Sequence, residues 1–289
     1  MSELQLPDAI VSAEWLHQHI DHPNLVIFDA SWHMPAANRD AFSEWQNEQI
    51  KNARFFDFDQ AISDPDSDLP HMMPDVDLFT IEVQKLGLNH DSQVVVYDSV
   101  GMFSSPRVWW MLRAMGFNAC AVLDGGLPAW KSAGFEINSH PESVPIEQGN
   151  YIADQVDSRF CDSQAVLSAI DDTSTTILDA RPAERFRGEV DEPRAGLRRG
   201  RMPGACNLPF PDLFAEGLMK PKPELEAIFA RMIPPGNRTI CSCGSGVTAC
   251  VIALGAHLVG YDDITVYDGS WCEWGLPGDL PVVGLLLTN

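Results

Sequence analysis

The chain has 289 residues, 45% of them apolar and 21% charged, with 19 Lys and Arg against 41 Asp and Glu and a net charge of −22 at pH 7. That composition is globular and long enough for two domains, and its charge argues against nucleic acid or an anionic membrane surface as a partner. No stretch approaches the ~20 apolar residues of a membrane span; the start Met1-Ser2-Glu3-Leu4-Gln5-Leu6-Pro7 lacks a signal peptide's basic and apolar regions; and seven cysteines without disulfide-like spacing suit a reducing, cytoplasmic setting.

In chain order, Ser12 is a good N-cap and opens a helical run, Ala13-Glu14-Trp15-Leu16. The run Leu25-Val26-Ile27-Phe28-Asp29-Ala30 predicts a buried strand. Val94-Val95-Val96-Tyr97-Asp98 predicts another, followed by a helix ending at Met115-Gly116-Phe117. Val122-Leu123-Asp124-Gly125-Gly126 then leads to Trp130. Asn138 to Asp157, polar and carrying Pro141 and Pro145, reads as a linker. Beyond it the pattern returns. Asp162 caps Ser163-Gln164-Ala165-Val166-Leu167, and Thr176-Ile177-Leu178-Asp179-Ala180 matches the first strand. Thr239-Ile240-Cys241 runs into Cys243, a helix ends at Val259-Gly260-Tyr261, and Val266-Tyr267-Asp268-Gly269-Ser270 leads to Trp274. Two copies, at an offset falling from 150 to 144, indicate a tandem domain rather than a solenoid. The expected boundaries are 1–137 and 158–289, with 138–157 between them. Strands alternating with helices give the fold class: α/β, each domain a mostly parallel sheet with helices on both faces.

The chemistry concentrates in Cys243-Gly244-Ser245-Gly246-Val247-Thr248-Ala249. Here a cysteine at a strand end opens a glycine-containing loop and faces the N-terminus of an apolar helix, Cys250 to Leu258. Successive N–H groups of such a loop make a concave anion site, and the helix dipole adds positive potential. Both favour thiolate over thiol, so Cys243 is expected to be a nucleophile. Cys120, Cys161, Cys206, Cys241, Cys250 and Cys272 read as small hydrophobes. Cys241, sharing a strand face with Cys243, is expected to be buried and inert. Cys241 and Cys243 have no second Cys/His pair at ligand spacing, so neither metal nor cofactor is expected. Seven arginines between Arg181 and Arg201 share their stretch with four acids, leaving it at +3 in an acidic chain. Such an island is either an anion site or a solvated loop of surface ion pairs.

The loop resembles the active-site loop of the rhodanese superfamily, and its wording is similar to that of the 3-mercaptopyruvate sulfurtransferases. Thiosulfate-specific rhodaneses usually carry basic residues after the cysteine, where this chain has Gly244 and Ser245. The resemblance covers nearly the whole chain and implies two tandem rhodanese-like domains. It also implies sulfur transfer from mercaptopyruvate through a Cys243 persulfide, with a small thiol, cyanide or a thioredoxin-like protein as acceptor. Gly244, Gly246, Val247 and Thr248 would contribute the substrate-side cradle. In that group two arginines nine apart bind the substrate in an Arg-Phe…Glu-Pro-Arg context. Arg185-Phe186 and Glu192-Pro193-Arg194 match it, which makes Arg185 and Arg194 the expected clamp. Arg187, Arg198, Arg199 and Arg201 are expected to be supporting. A loop Ser with a His and an Asp of the first domain handles protons in the family; the matching residues are Ser245, His71 and Asp59. Ser245 also reads as a small residue the loop tolerates. Trp271 and Trp274 read as core or as pocket lining.

The position matching Cys243 in the first half is Asp98, which cannot accept sulfane sulfur. The first domain is therefore expected to be catalytically silent and to serve as a wall of the site. Its loop, Ser99-Val100-Gly101-Met102-Phe103, lacks the Gly-Ser-Gly sequence and is expected to form no amide cradle. The family's Gly-His-Ile-Pro-Gly turn stands here as Gly200-Arg201-Met202-Pro203-Gly204, and in the first half as Gln49-Ile50-Lys51-Asn52-Ala53. Neither turn is expected to touch the loop or the clamp. Rival readings are a thiosulfate sulfurtransferase and a non-catalytic rhodanese-pair binding module. A cysteine phosphatase would want an arginine closing the loop, and Thr248-Ala249-Cys250 supplies none.

Overall fold

The structure is a computed structural model and describes residues 4–139 and 145–284. Residues 140–144 of the expected linker, Pro141 among them, lie outside the described residues. The chain forms two compact units. One takes the chain up to Pro65, Met73–Val156 and Glu216–Met219; the other takes Asp66–Met72, Asp157–Ala215 and the chain from Lys220 on.

The first unit runs through β1 (Ile10–Val11), α1 (Ala13–His19), β2 (Leu25–Asp29), α2 (Ala41–Asn47), β3 (Ala53–Phe55), α3 (Val76–Lys85), β4 (Gln93–Tyr97), α4 (Ser105–Ala114), β5 (Cys120–Leu123) and α5 (Gly126–Ser132). Its strands form one parallel sheet in the order β1-β5-β4-β2-β3. Central parallel strands are covered on both faces and read as unbroken apolar runs, and β2 and β5 are buried along their whole lengths. Alternate residues share a sheet face. Ile27, Val95, Tyr97, Ala121 and Leu123 thus pack on one side with Leu16 of α1 and Leu127 and Trp130 of α5. The Ser12 side chain caps α1 by accepting from the Trp15 N–H at 3.2 Å. The described part of the expected linker is held to this unit by backbone bonds: the N–H groups of Gly149, Tyr151 and Asp154 donate to Gln84, Leu88 and Met115.

The chain continues through β6 (Phe160–Cys161), α6 (Ser163–Ala169), β7 (Thr175–Asp179), α7 (Ala183–Arg187), β8 (Cys206–Asn207), β9 (Phe214–Ala215), β10 (Leu218–Met219), α8 (Lys222–Met232), β11 (Arg238–Ser242), α9 (Ala249–Leu258), β12 (Ile264–Tyr267) and α10 (Ser270–Trp274). The second unit repeats the parallel sheet in the order β6-β12-β11-β7-β8. Asp162 caps α6 by accepting from the Ala165 N–H at 2.9 Å. Val166, Ile177, Met202, Ile240, Tyr267, Trp271 and Trp274 share one core cluster, so both tryptophans are core. Helix α9 is buried at every residue but His257, as expected of a helix apolar all round.

The repeat conceals one asymmetry of charge. Asp179, ending β7, is met by Arg181, which donates to both its carboxylate oxygens. Asp29, ending β2, has Ser31 two residues on, whose N–H donates to its carboxylate at 2.8 Å. Burial pushes the Asp29 pKa from the usual 3.8 up to about 6, against the pull of the Ser31 and Tyr97 hydrogen bonds and with the charge of Asp98 adding to the rise. The folded state then binds more protons than the unfolded state between those values. Ionised Asp29 therefore costs stability, increasingly as pH rises through that window and fully above about 6. A rise of that size corresponds to about 3 kcal/mol. Asp29→Asn is expected to stabilise the first unit by up to about 3 kcal/mol at pH 8 and by about half that at pH 5, read from urea unfolding at both pH values. An equal gain at both would show that the buried charge is not its source.

Candidate active site

Cys243 follows β11, whose last residue, Ser242, pairs with Asp179 of β7. Residues 244–248 then reach α9. The loop is pinned from the start of α10. The Cys243 N–H donates to Ser270 Oγ at 3.1 Å, and Ser270 Oγ donates to the Tyr267 carbonyl at 2.8 Å. The carbonyls of Cys243 and Gly244 accept from the N–H groups of Trp271 at 3.0 Å and Cys272 at 2.8 Å. Gly246 turns the loop at φ 73°, a conformation that strains any residue with a Cβ. Among the described residues, the N–H groups of Gly244, Ser245, Val247 and Thr248 donate to no protein acceptor. Unengaged amides opening a buried helix suit an anion.

Arg185 and Arg194, the expected clamp, come from α7 and the loop after it. An added Cβ on Gly244 would lie 3.3 Å from Arg185 Nη2, so this guanidinium rests directly on the residue after Cys243. Glu192 fixes it there. Its Oε2 accepts from Arg185 Nε at 2.9 Å and from Arg185 Nη2, while its Oε1 accepts from Arg181 Nη1 at 2.8 Å. Arg181 is itself buried, with its guanidinium 3.9 Å from the centre of the Trp271 ring. Arg194 is half-buried and has no carboxylate partner among the described residues. The rest of the arginine island is quiet. Arg187 and Arg199 make exposed pairs with Glu189 and Asp191, and Arg198 donates to the Trp274 and Leu280 carbonyls. Arg201 lies over the Phe186 ring.

The remaining expected residues are Ser245, His71 and Asp59. Ser245 is buried in the loop. His71 is buried with a left-handed backbone at φ 64°, in a segment grouped with the second unit, although the resemblance implied a first-domain histidine. Asp59 belongs to the first unit, where its carboxylate accepts from Gln60 Nε2 at 3.1 Å. Cys241 is fully buried, and burial pushes its thiol well above the usual value. Cys250 is buried and its thiol donates to the Gly246 carbonyl at 3.3 Å.

The Gly200 carbonyl accepts from Arg181 Nη2 at 2.9 Å, and Arg181 in turn holds Glu192. Two expectations need correction. Cys206 is exposed and Cys161 half-buried, rather than both being buried hydrophobes. The first-half loop does form an amide cradle, and it closes on Asp98. No role in the site is legible in the sequence for Arg181, Ser270 or Cys272, and Glu192 is legible only as part of the Glu-Pro-Arg context. Cys272 lies buried against the loop, its pKa pushed up to about 11 by burial, with Arg194, Glu192 and Arg185 as its charged neighbours.

A family model of the rhodanese-like domain matches the chain twice, at residues 12–133 and 162–276. The 3-mercaptopyruvate sulfurtransferase of Escherichia coli K12 is 42% identical over 274 residues, covering 94% of this chain and 96% of its own. The mitochondrial thiosulfate/3-mercaptopyruvate sulfurtransferase 1 of Arabidopsis thaliana is 36% identical over 302 residues, covering 97% and 79%. The crystal structure of SseA from Escherichia coli, described as having the rhodanese fold of 3-mercaptopyruvate sulfotransferases, superposes with a TM-score of 0.82 at 39% identity, covering 91% of this chain and 99% of that one. The pinned cysteine loop, the doubled sheet and these matches lead to one conclusion: the chain belongs to the rhodanese family, as a tandem-domain sulfurtransferase.

Proposed function

We propose that this sulfurtransferase takes sulfur from 3-mercaptopyruvate and carries it as a persulfide on Cys243. The observation that supports this most is Arg185, seated on Gly244 beside the nucleophile, with Arg194 free of a carboxylate partner among the described residues. A 2-keto acid presents a carboxylate next to a carbonyl, and two guanidinium forks suit both. The Cys243 thiolate attacks the donor sulfur and the C–S bond breaks. Its electron pair passes into the carbonyl, giving the enolate of pyruvate, which is then protonated. Ser245 and His71 are the proposed proton carriers. The persulfide left on Cys243 is held by the loop amides. An acceptor thiolate attacks its outer sulfur and the Cys243 thiolate leaves. The acceptor is a small thiol, cyanide or a thioredoxin-like dithiol. Asp98 leaves the first unit without a sulfur carrier. No helix among the described residues is long and apolar enough to cross a membrane.

Donor specificity tests this reading. Losing one charge-assisted contact costs about 1.5–3 kcal/mol, so Arg194→Ala and Arg185→Ala are expected to lower kcat/KM for mercaptopyruvate roughly 10- to 150-fold. Lys at either position should rescue only part of this, since it keeps the charge and loses the fork. Thiosulfate, lacking a carboxylate, should lose less. Arg199→Ala is expected to be near neutral, because its pair with Asp191 is exposed. If both donors fall equally, or no further than with Arg199→Ala, the carboxylate is bound elsewhere and mercaptopyruvate loses its claim over thiosulfate.

A further inference from the structure

The backbone sets the two loops in equivalent places. The Asp98 carbonyl accepts from the Leu127 N–H at 3.0 Å, as the Cys243 carbonyl accepts from Trp271 at 3.0 Å. The residue after β2 donates to Tyr97, and the residue after β7 donates to Ser242. Residues 99–104 lead from Asp98 to α4, one residue more than the 244–248 stretch. The surroundings of the two side chains then diverge. Asp98 Oδ1 accepts from the Val100 N–H at 3.0 Å. Its Oδ2 accepts from the N–H groups of Phe103 at 2.9 Å, Ser104 at 3.0 Å and Ser105 at 2.9 Å, and from Ser105 Oγ at 2.8 Å. The residue is 0% exposed. No lysine or arginine pairs with it among the described residues. Its charge is met by five neutral donors converging from a loop and the first turn of a ten-residue helix.

We propose that the 98–105 loop is an intact oxyanion-binding cradle whose ligand is built into the chain. The Asp98 carboxylate occupies the place that a small carboxylate or other oxyanion would take. The first unit lacks an anion site only because its own side chain fills it. Four converging amides and a hydroxyl are far more than an aspartate needs at a strand end, and without an anion they would be buried donors without acceptors, a costly state. Asp98 is thus a permanent internal ligand, placed where the second unit's loop would hold substrate or persulfide. The last clause rests on the proposed Cys243 chemistry; the cradle does not.

Chemical rescue tests it on the full chain. Asp98→Ala removes the carboxylate and leaves space for formate; Asp98→Gly leaves space for acetate. Each variant is expected to melt roughly 5–10 °C lower than the wild type. Sodium formate for the first and sodium acetate for the second should restore at least half of that loss, saturably, at ionic strength held constant with sodium chloride. The wild type and Asp98→Asn, whose cradle stays filled, should show no response to formate beyond that to chloride. If Asp98→Ala is too unstable to isolate, its refolding yield in formate against chloride gives the same readout. No formate-specific gain in Tm or yield would overturn the proposal, and so would an equal gain in the wild type. Sulfur-transfer activity plays no part in the readout, so failure here leaves the reading of Cys243 standing, and failure of that reading leaves this one.

Discussion

In Cys243→Ser, incubation with 3-mercaptopyruvate and no acceptor is expected to leave the intact mass unchanged, whereas the wild-type chain gains one sulfur atom, which peptide mapping places on Cys243. Turnover with acceptor should fall by on the order of 10⁴-fold or more, the scale seen when a covalent nucleophile is removed. The other cysteines give no substitute. Cys241 and Cys120 are buried with their thiols pushed up, the latter to about 12, and a thiol held protonated is a poor nucleophile. Cys250 is buried, its thiol bonded to Gly246. Cys206 is exposed, but it lies on the short strand β8 rather than at a helix N-terminus. Cys272 is the sharpest control, since it lies against the loop with Arg185 and Arg194 among its charged neighbours. Sulfur loaded on Cys272 in the Cys243→Ser variant, with turnover retained, would move the carrier role to α10 and sink the assignment.

What the sequence discloses follows from which forces are local. The strands at Leu25, Val94, Thr176 and Thr239 announce themselves because a central parallel strand is buried on both faces and tolerates little polarity. Ser12 and Asp162 reveal helix starts because an N-cap acts over three residues. Cys243 stands out because a cysteine, a turn glycine and a helix start are contiguous. The bridging role of Glu192 is hidden for the opposite reason, although the residue itself stands in the Glu-Pro-Arg context. As one acid in a mixed run it looks like a surface ion-pair partner, and only the fold brings Arg181 and Arg185 to its two oxygens. The cradle around Asp98 was misjudged because converging amides depend on backbone angles, not on a Gly-Ser-Gly spelling; Val100, Phe103, Ser104 and Ser105 adopt them as well. The stretch from Pro145 to Val156 reads as a linker by composition, and the main-chain bonds from Gly149, Tyr151 and Asp154 to Gln84, Leu88 and Met115 leave no mark on side-chain pattern.

Glu192→Gln is expected to be the most destabilising single change in the proposed clamp. The side chains of Glu192 and Arg181 are each 1% exposed and that of Arg185 is 19% exposed. With Asp179 they make two cations and two anions, and neutralising Glu192 leaves the group with one uncompensated positive charge. Breaking a buried pair in this way costs about 3–5 kcal/mol, far above the ~0–1 of an exposed pair. Gln keeps the shape of Glu192 but has one acceptor oxygen where two are used, so either Arg181 or Arg185 must face an amide N–H₂. Denaturant unfolding should show a lower midpoint at an unchanged m-value. Activity should change as well, because Glu192 holds Arg185 on Gly244. With the fork loosened, kcat/KM for mercaptopyruvate should fall about tenfold, the equivalent of 1.36 kcal/mol, and more than for thiosulfate. Replacing Arg187, whose partner Glu189 is 42% exposed, supplies the surface comparison. If Glu192→Gln costs no more than Arg187→Ala, the bridge between Arg181 and Arg185 contributes only as a surface pair does, and the placement of Arg185 must come from packing alone.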